Sequence, residues 1–220
     1  MKGLLTVIFD LDGTLIDSFN QISKCASWVR DQLGMKRKSK QDLEKLIGLP
    51  ADALFSDGPP EILEQAVLMF RNELLREIKR ENTEYEGAVD LLNVLKIRNI
   101  RIAIATSKPH HLAQLVVENS ALNGLIDHVQ GLDGFAPKPD PEVIKRCQIR
   151  LQAKRFAMIG DRPEDIHAGL NASCYTVGIA QGVFGEKALG DVGAHETFRS
   201  IKHLSLDIDQ FLNRLQVHEQ

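Results

Sequence analysis

Apolar residues recur along this chain in two rhythms. Residues 4–9, 100–105, 156–159 and 174–179 are apolar nearly throughout and rich in β-branched side chains. Runs of this kind predict strands buried on both faces, as in a parallel sheet. Between the later runs, apolar positions return at helical spacing and predict helices over residues 88–96, 111–118, 141–149 and 164–170. Strand alternating with helix predicts an α/β fold built on a doubly wound parallel sheet. His128-Val129-Gln130 offers one further short strand, and residues 198–217 a final helix or two.

The stretch between the first two strands has only the helical rhythm. Ile22, Ala26, Val29 and Leu33 share one face. Leu43, Leu46 and Ile47 form a second apolar face after Ser39, a good N-cap. Ile62, Ala66, Phe70, Leu74 and Ile78 form a third after Pro59-Pro60. So much helix exceeds one crossover connection. The pattern therefore predicts an inserted helical domain over residues 16–85, with residues 1–15 and 86–220 forming the α/β core.

The first strand runs into Asp10 and Asp12, followed by a turn at Gly13-Thr14. Carboxylates at the end of a buried strand are costly unless something neutralises them, and a metal ion or a lysine is the natural candidate. In doubly wound sheets ligands sit beyond the carboxyl ends of the strands, so the residues after each strand are informative. The second strand leads into Thr106-Ser107-Lys108 and the third into Gly160-Asp161, with Asp165 four residues on. Lys138 lies between them in Pro137-Lys138-Pro139. Taken singly, each has an ordinary structural reading. Thr106 or Ser107 can cap a helix with Pro109 at its first position, and Glu164 and Asp165 suit a first helical turn. Taken in order along one rim, the acids suit a hard divalent cation such as Mg²⁺, and the hydroxyl and lysine suit a phosphoryl group.

Composition narrows the classes. The chain has 220 residues, is 43% hydrophobic and carries a net charge of −3, which leaves no electrostatic footprint for nucleic acid. The basic run Lys36-Arg37-Lys38, with Lys40, reads as a solvated loop. Cys25, Cys147 and Cys174 are widely spaced and suggest neither a disulfide framework nor a cysteine metal site. No apolar run is long enough to cross a bilayer, and Asp10 ends the first one too early for a signal peptide. The expectation is a soluble cytoplasmic protein, monomer or homodimer, with no membrane or nucleic-acid partner.

The ordered set Phe9-Asp10-Leu11-Asp12-Gly13-Thr14-Leu15, Ala105-Thr106-Ser107-Lys108, Lys138-Pro139-Asp140-Pro141 and Gly160-Asp161 with Asp165 resembles the four motifs of the haloacid dehalogenase superfamily. The helical insertion is similar to that superfamily's smaller, C1-type cap, and Tyr85-Glu86-Gly87-Ala88 resembles the phosphoglycolate phosphatase branch. The resemblance implies a Mg²⁺-dependent hydrolase of small phosphorylated metabolites. In that reading Asp10 is the nucleophile and Asp12 the general acid and base. Thr106, the Ser107 backbone and Lys138 hold the phosphoryl oxygens. Asp10, the Asp12 carbonyl and Asp161 bind the metal, supported by Asp165. A second Asp at position 12 disfavours dehalogenase chemistry. It leaves a phosphomutase of the β-phosphoglucomutase type, or an inorganic pyrophosphatase, as alternatives. Thr14, where sugar phosphomutases usually carry Val, lowers the mutase reading. Arg162 replaces a common Ser or Thr and is expected to point to solvent rather than to substrate. Gly48-Leu49-Pro50 is expected to form a turn that closes over the site.

Overall fold

Six parallel strands build the centre of the computed structural model, which describes residues 5–47, 49–80 and 82–217. The strands are β1 (Leu5–Phe9), β2 (Arg101–Pro109), β3 (His128–Leu132), β4 (Arg155–Gly160), β5 (Tyr175–Ile179) and β6 (Glu196–Phe198). Their order across the sheet is β3-β2-β1-β4-β5-β6. The chain winds outward one way from β1 through β2 to β3, and the other way from β4 to β6. The strand order therefore reverses between β1 and β4, and a crevice opens beyond their carboxyl ends.

Alternation along the strands sorts the core into two layers. Val7 and Phe9 of β1 join Ile102, Ile104, Ala157 and Ile159 on one face. That face is covered by α4 (Ala88–Ile97), α5 (His110–Glu118), α9 (Ile201–Leu206) and α10 (Ile208–Val217). Ile8 points the other way, with Ala103, Ala105 and Met158, onto α6 (Glu142–Leu151) and α7 (Pro163–Asn171). A further helix, α8 (Glu186–Asp191), packs at the β5–β6 edge. These are the strands and helices the apolar rhythm predicts, with three differences. α8 has only six residues and one buried side chain, Leu189, too little apolar periodicity to announce a helix. β6 escaped the pattern because it is three residues long and only half-buried. β2 continues past Ala105 to Pro109, with an irregular register against β3 between those two residues, so α5 starts at His110 and Pro109 is its N-cap.

Residues 16–85 contribute helices α1 (Phe19–Gln32), α2 (Lys40–Glu44) and α3 (Pro60–Ile78), with a short 3₁₀ turn at Ala51–Leu54. Ser39 caps α2 by accepting from the Asp42 amide at 3.1 Å. The segment leaves and rejoins the core at one place: the Asp17 amide donates to Thr83 O at 2.8 Å and the Tyr85 amide to Leu15 O at 2.9 Å. Leu4, at the start of the predicted first strand, and Gly48, in the expected closing turn, lie outside the described residues.

Arg30, 1% exposed, is the internal hub of this helical segment. It donates to Lys36 O and, at 2.9 Å, to Leu54 O, and pairs with Asp57 at 2.7 Å. Nothing in the sequence pattern marks it. Arg37 and Lys38 of the basic run pair with Asp31 and Asp57. Replacing Arg30 with Ala strands the buried Leu54 carbonyl and removes the partner of Asp57, and should cost on the order of 3 kcal/mol. A denaturant midpoint unchanged from the parent would contradict this. The three cysteines are free and buried, and no described helix is long and apolar enough to cross a membrane.

Candidate active site

The β1–β4 crevice collects the strand-tip residues. The ladder holds β1 to its last residue, and the Asp10 amide still donates to Ile159 O at 2.8 Å, which fixes where the Asp10 carboxylate begins. Lys138 reaches in from the loop before α6. Its ammonium donates to Asp10 Oδ1 at 2.6 Å and to Ala105 O at 3.0 Å, and pairs with Asp165 Oδ1 at 2.5 Å. Asp165 occupies the first turn of α7 and its Oδ2 accepts from the Arg162 amide at 3.0 Å. It is thus both a helix cap, as its position suggests, and a wall of the charged cluster.

Asp161 follows β4 and is held from three sides. Thr14 Oγ1 donates to its Oδ1 at 3.0 Å. Gly13, at φ +88°, passes so close that a Cβ there would stand 2.6 Å from Asp161 Oδ2, and one on Gly182 would stand 2.8 Å away. The turn at Gly13-Thr14 is itself braced by Gln181, whose amide donates to both carbonyls at 3.0 and 2.9 Å. Gly160 is equally constrained, since a Cβ would meet the Asp165 carboxyl at 2.3–2.4 Å. Neither Gln181 nor Gly182 is signalled by sequence spacing. They belong to the loop after β5, which becomes relevant only once the sheet places β5 beside β4.

Asp10, Asp161 and Asp165 each offer an oxygen within 4.8 Å of the others. All three are buried, and Lys138 is the cation paired with two of them. Burial pushes Asp10 up to about 6 against the pull of Lys138, above the ordinary carboxylate value. Burial, then the neighbouring Asp165 and Asp10 charges, pushes Asp161 well above the usual range. Burial opposes the charge on Lys138, yet Asp10 and Asp165 carry its pKa above the usual lysine value. An oxygen-only donor set with more negative than positive charge fits a hard divalent cation.

Asp12 faces a different neighbour. Its Oδ2 pairs with Lys108 Nζ at 2.7 Å, and its Oδ1 is buried without a hydrogen-bond partner. Its carboxylate stands outside the group of three acids that converge on a cation position. In the sequence Lys108 stands only as a member of the Thr106-Ser107-Lys108 motif; its burial at the end of β2 against Asp12 is a tertiary fact. Thr106, buried, accepts from the Lys108 amide through Oγ1 at 3.2 Å, and Ser107 is half-buried beside it. Asp10, Asp12, Thr106, Ser107 and Lys108 line one pocket. Leu46, Ile47, Leu49, Leu54, Phe70 and Leu74 of the helical insertion form its apolar wall, with Arg71.

Arg162 departs from expectation. It is 6% exposed rather than solvated. Its guanidinium donates to Ile47 O at 2.7 Å and Lys45 O at 3.3 Å, both in the insertion. Those carbonyls follow the short helix α2, whose end leaves acceptors free, and they capture the side chain before water can.

Comparison with known proteins agrees with this arrangement. The family of haloacid dehalogenase-like hydrolases matches residues 7–179. Pyrophosphatase PpaX of Bacillus velezensis is 29% identical over 86% of this chain and 88% of its own. Phosphoglycolate phosphatase of Chromobacterium violaceum is 26% identical over 93% and 96%. Among solved structures, a predicted phosphatase from Clostridium acetobutylicum superposes with a TM-score of 0.83 at 27% identity, covering 96% of this chain and all of that one. With the motif residues gathered at the strand reversal and relatives matched over nearly their full length, the chain is an enzyme that belongs to the haloacid dehalogenase-like hydrolases.

Proposed function

We propose that this enzyme is a Mg²⁺-dependent phosphatase that hydrolyses small phosphate monoesters through a phosphoryl-aspartate at Asp10. The observation that carries the reading is the pairing of Asp10 with Lys138 at 2.6 Å inside a cluster of three converging acids. The Asp10 carboxylate attacks phosphorus, and an O–P bond forms as the ester O–P bond breaks. Asp12 gives a proton to the departing oxygen. It then takes one from the water that attacks the phosphoryl-aspartate, which restores both residues. The Lys108–Asp12 ion pair has to open for that exchange. Lys138, the Thr106 hydroxyl and the Ser107 amide steady the phosphoryl oxygens as charge moves onto them. Asp10, Asp161 and the Asp12 carbonyl would hold Mg²⁺, with Asp165 behind them, and the ion would offset repulsion between nucleophile and phosphate. Residues 16–85 serve as the cap over the core of residues 1–15 and 86–220, and shield the site from water.

Assay of an aryl phosphate with Mg²⁺ and with a chelator tests this. Free phosphate should appear only with the cation. Turnover that survives chelation would sink the reading. Inorganic pyrophosphate is the rival substrate, supported by the second buried lysine, Lys108, beside Asp12 and by the pyrophosphatase relatives. The apolar wall favours a carbon leaving group. A kcat/KM for pyrophosphate more than about tenfold above that for the best monoester, equivalent to 1.4 kcal/mol, would reverse the order.

The proposed cation also predicts a pH dependence of stability. Asp10 titrates near 6 in the folded protein and near 3.8 when unfolded. Its burial penalty is therefore absent below the lower value, grows between the two and is complete above 6. Asp161 shifts in the same direction. Added Mg²⁺ relieves that penalty, so its increment in melting temperature should be larger at about pH 8 than at about pH 5. Equal increments at the two pH values would contradict the assignment.

A further inference from the structure

We propose that Arg162 is a positioning residue that latches the cap to the core and thereby sets selectivity for the leaving group. The inference rests on the phosphatase reading, and adds a role that the family motifs do not supply. Arg162 directly follows Asp161, so its backbone is anchored at the charged cluster. Its side chain leaves the core and donates to Ile47 O at 2.7 Å and Lys45 O at 3.3 Å. The guanidinium is supported from behind by Glu164 at 3.2 Å and by the Phe184 ring at 5.2 Å from its centroid. The charge is thus held in one place by core residues and spent on two cap carbonyls.

Those two carbonyls bracket Leu46, and Leu49 lies two residues beyond the second. Leu46, Ile47 and Leu49 line the pocket that also holds Asp10 and Asp12. Position of residues 45–47 and shape of the leaving-group wall are therefore one variable, and Arg162 fixes it. Charge-assisted hydrogen bonds to backbone carbonyls restrain the main chain without requiring any particular side chain on the turn. A planar fork can span two carbonyls two residues apart, which a lysine ammonium, a point charge, does less well.

The consequence is selective rather than general. A leaving group that touches the apolar wall gains from the latch, and one too small to touch it does not. Wild type, Arg162→Ala and Arg162→Lys would be compared on p-nitrophenyl phosphate and on acetyl phosphate at saturating Mg²⁺. For Arg162→Ala, KM for the aryl ester should rise about tenfold with kcat nearly kept, since uniform binding is what is lost. The kcat/KM for acetyl phosphate should change less than about threefold. Arg162→Lys should recover part of the aryl-ester loss.

Amide hydrogen exchange supplies a readout independent of turnover. Exchange over residues 45–50 should quicken in Arg162→Ala, while β1 and β4 keep their protection. Equal losses on the two substrates, or unchanged exchange over residues 45–50, would overturn the proposal. If wild type hydrolyses neither substrate, the phosphatase reading fails, and the exchange pattern alone still decides whether Arg162 holds the turn.

Discussion

Asp10→Asn is expected to lower kcat/KM by about 10⁴-fold or more, the scale on which loss of a covalent nucleophile is felt. The amide keeps the size and planarity of the carboxylate but cannot form the O–P bond, and offers a weaker oxygen to a cation. The fold should survive. Asp10 is a buried acid whose charge is opposed by desolvation, so neutralising it removes a penalty as well as a partner, and Lys138 keeps Asp165 at 2.5 Å. The variant should therefore melt within a few degrees of wild type without metal. A steady-state assay on an aryl phosphate, paired with a melt, checks both halves. Retained turnover in a well-folded variant would exclude Asp10 as the nucleophile.

Lys138→Met should be the more damaging change for stability. It leaves Asp10 and Asp165, with side chains 5% and 2% exposed, facing one another without the shared ammonium. Breaking a buried pair from one side typically costs about 3–5 kcal/mol because a charge is left uncompensated. Two carboxylates sharing the loss place this site at the upper end, though both can escape partly by taking up a proton. Mg²⁺ should restore part of the lost stability, because it would bring positive charge to the same cluster of carboxylates. It should not restore activity, expected to fall by about 10²–10³-fold with loss of a preorganised donor to the phosphoryl oxygens. Chemical denaturation with and without Mg²⁺ separates the effects. A metal-free midpoint equal to wild type would show that Lys138 is not the cluster's neutralising charge.

Much of this organisation is legible before any coordinates. The strand and helix rhythms give a doubly wound core, because burial on both faces of the sheet leaves near-continuous apolar runs, and the helices α1 to α3 that follow β1. Asp10, Lys138, Asp161 and Asp165 can be singled out because parallel strands bring their carboxyl ends to one rim. What escaped the sequence depends on partners distant along the chain. The sequence places Arg162 in solvent, yet it is buried against carbonyls of Lys45 and Ile47. Backbone acceptors carry no residue identity, so no pattern announces them. Arg30 is hidden in the same way by Lys36 O and Leu54 O. Lys108 sat in view within its motif, but its pairing with Asp12 requires β2 to run on past Ala105. Gln181 and Gly182 gain meaning only from the adjacency of β5 to β4. β6 was too short to register as a strand.

The central claim is that Asp10 receives the phosphoryl group with a cation at its side. A crystal structure of wild-type enzyme grown with Mg²⁺ and beryllofluoride tests it most directly, since beryllofluoride mimics a phosphoryl group only where an acceptor oxygen can bind it. The account predicts a trifluoroberyllate bonded to an Asp10 carboxylate oxygen, Lys138 against its fluorines, and Mg²⁺ between Asp10 and Asp161. An adduct on any other residue, or a Mg²⁺ ion ligated away from Asp161, would contradict it.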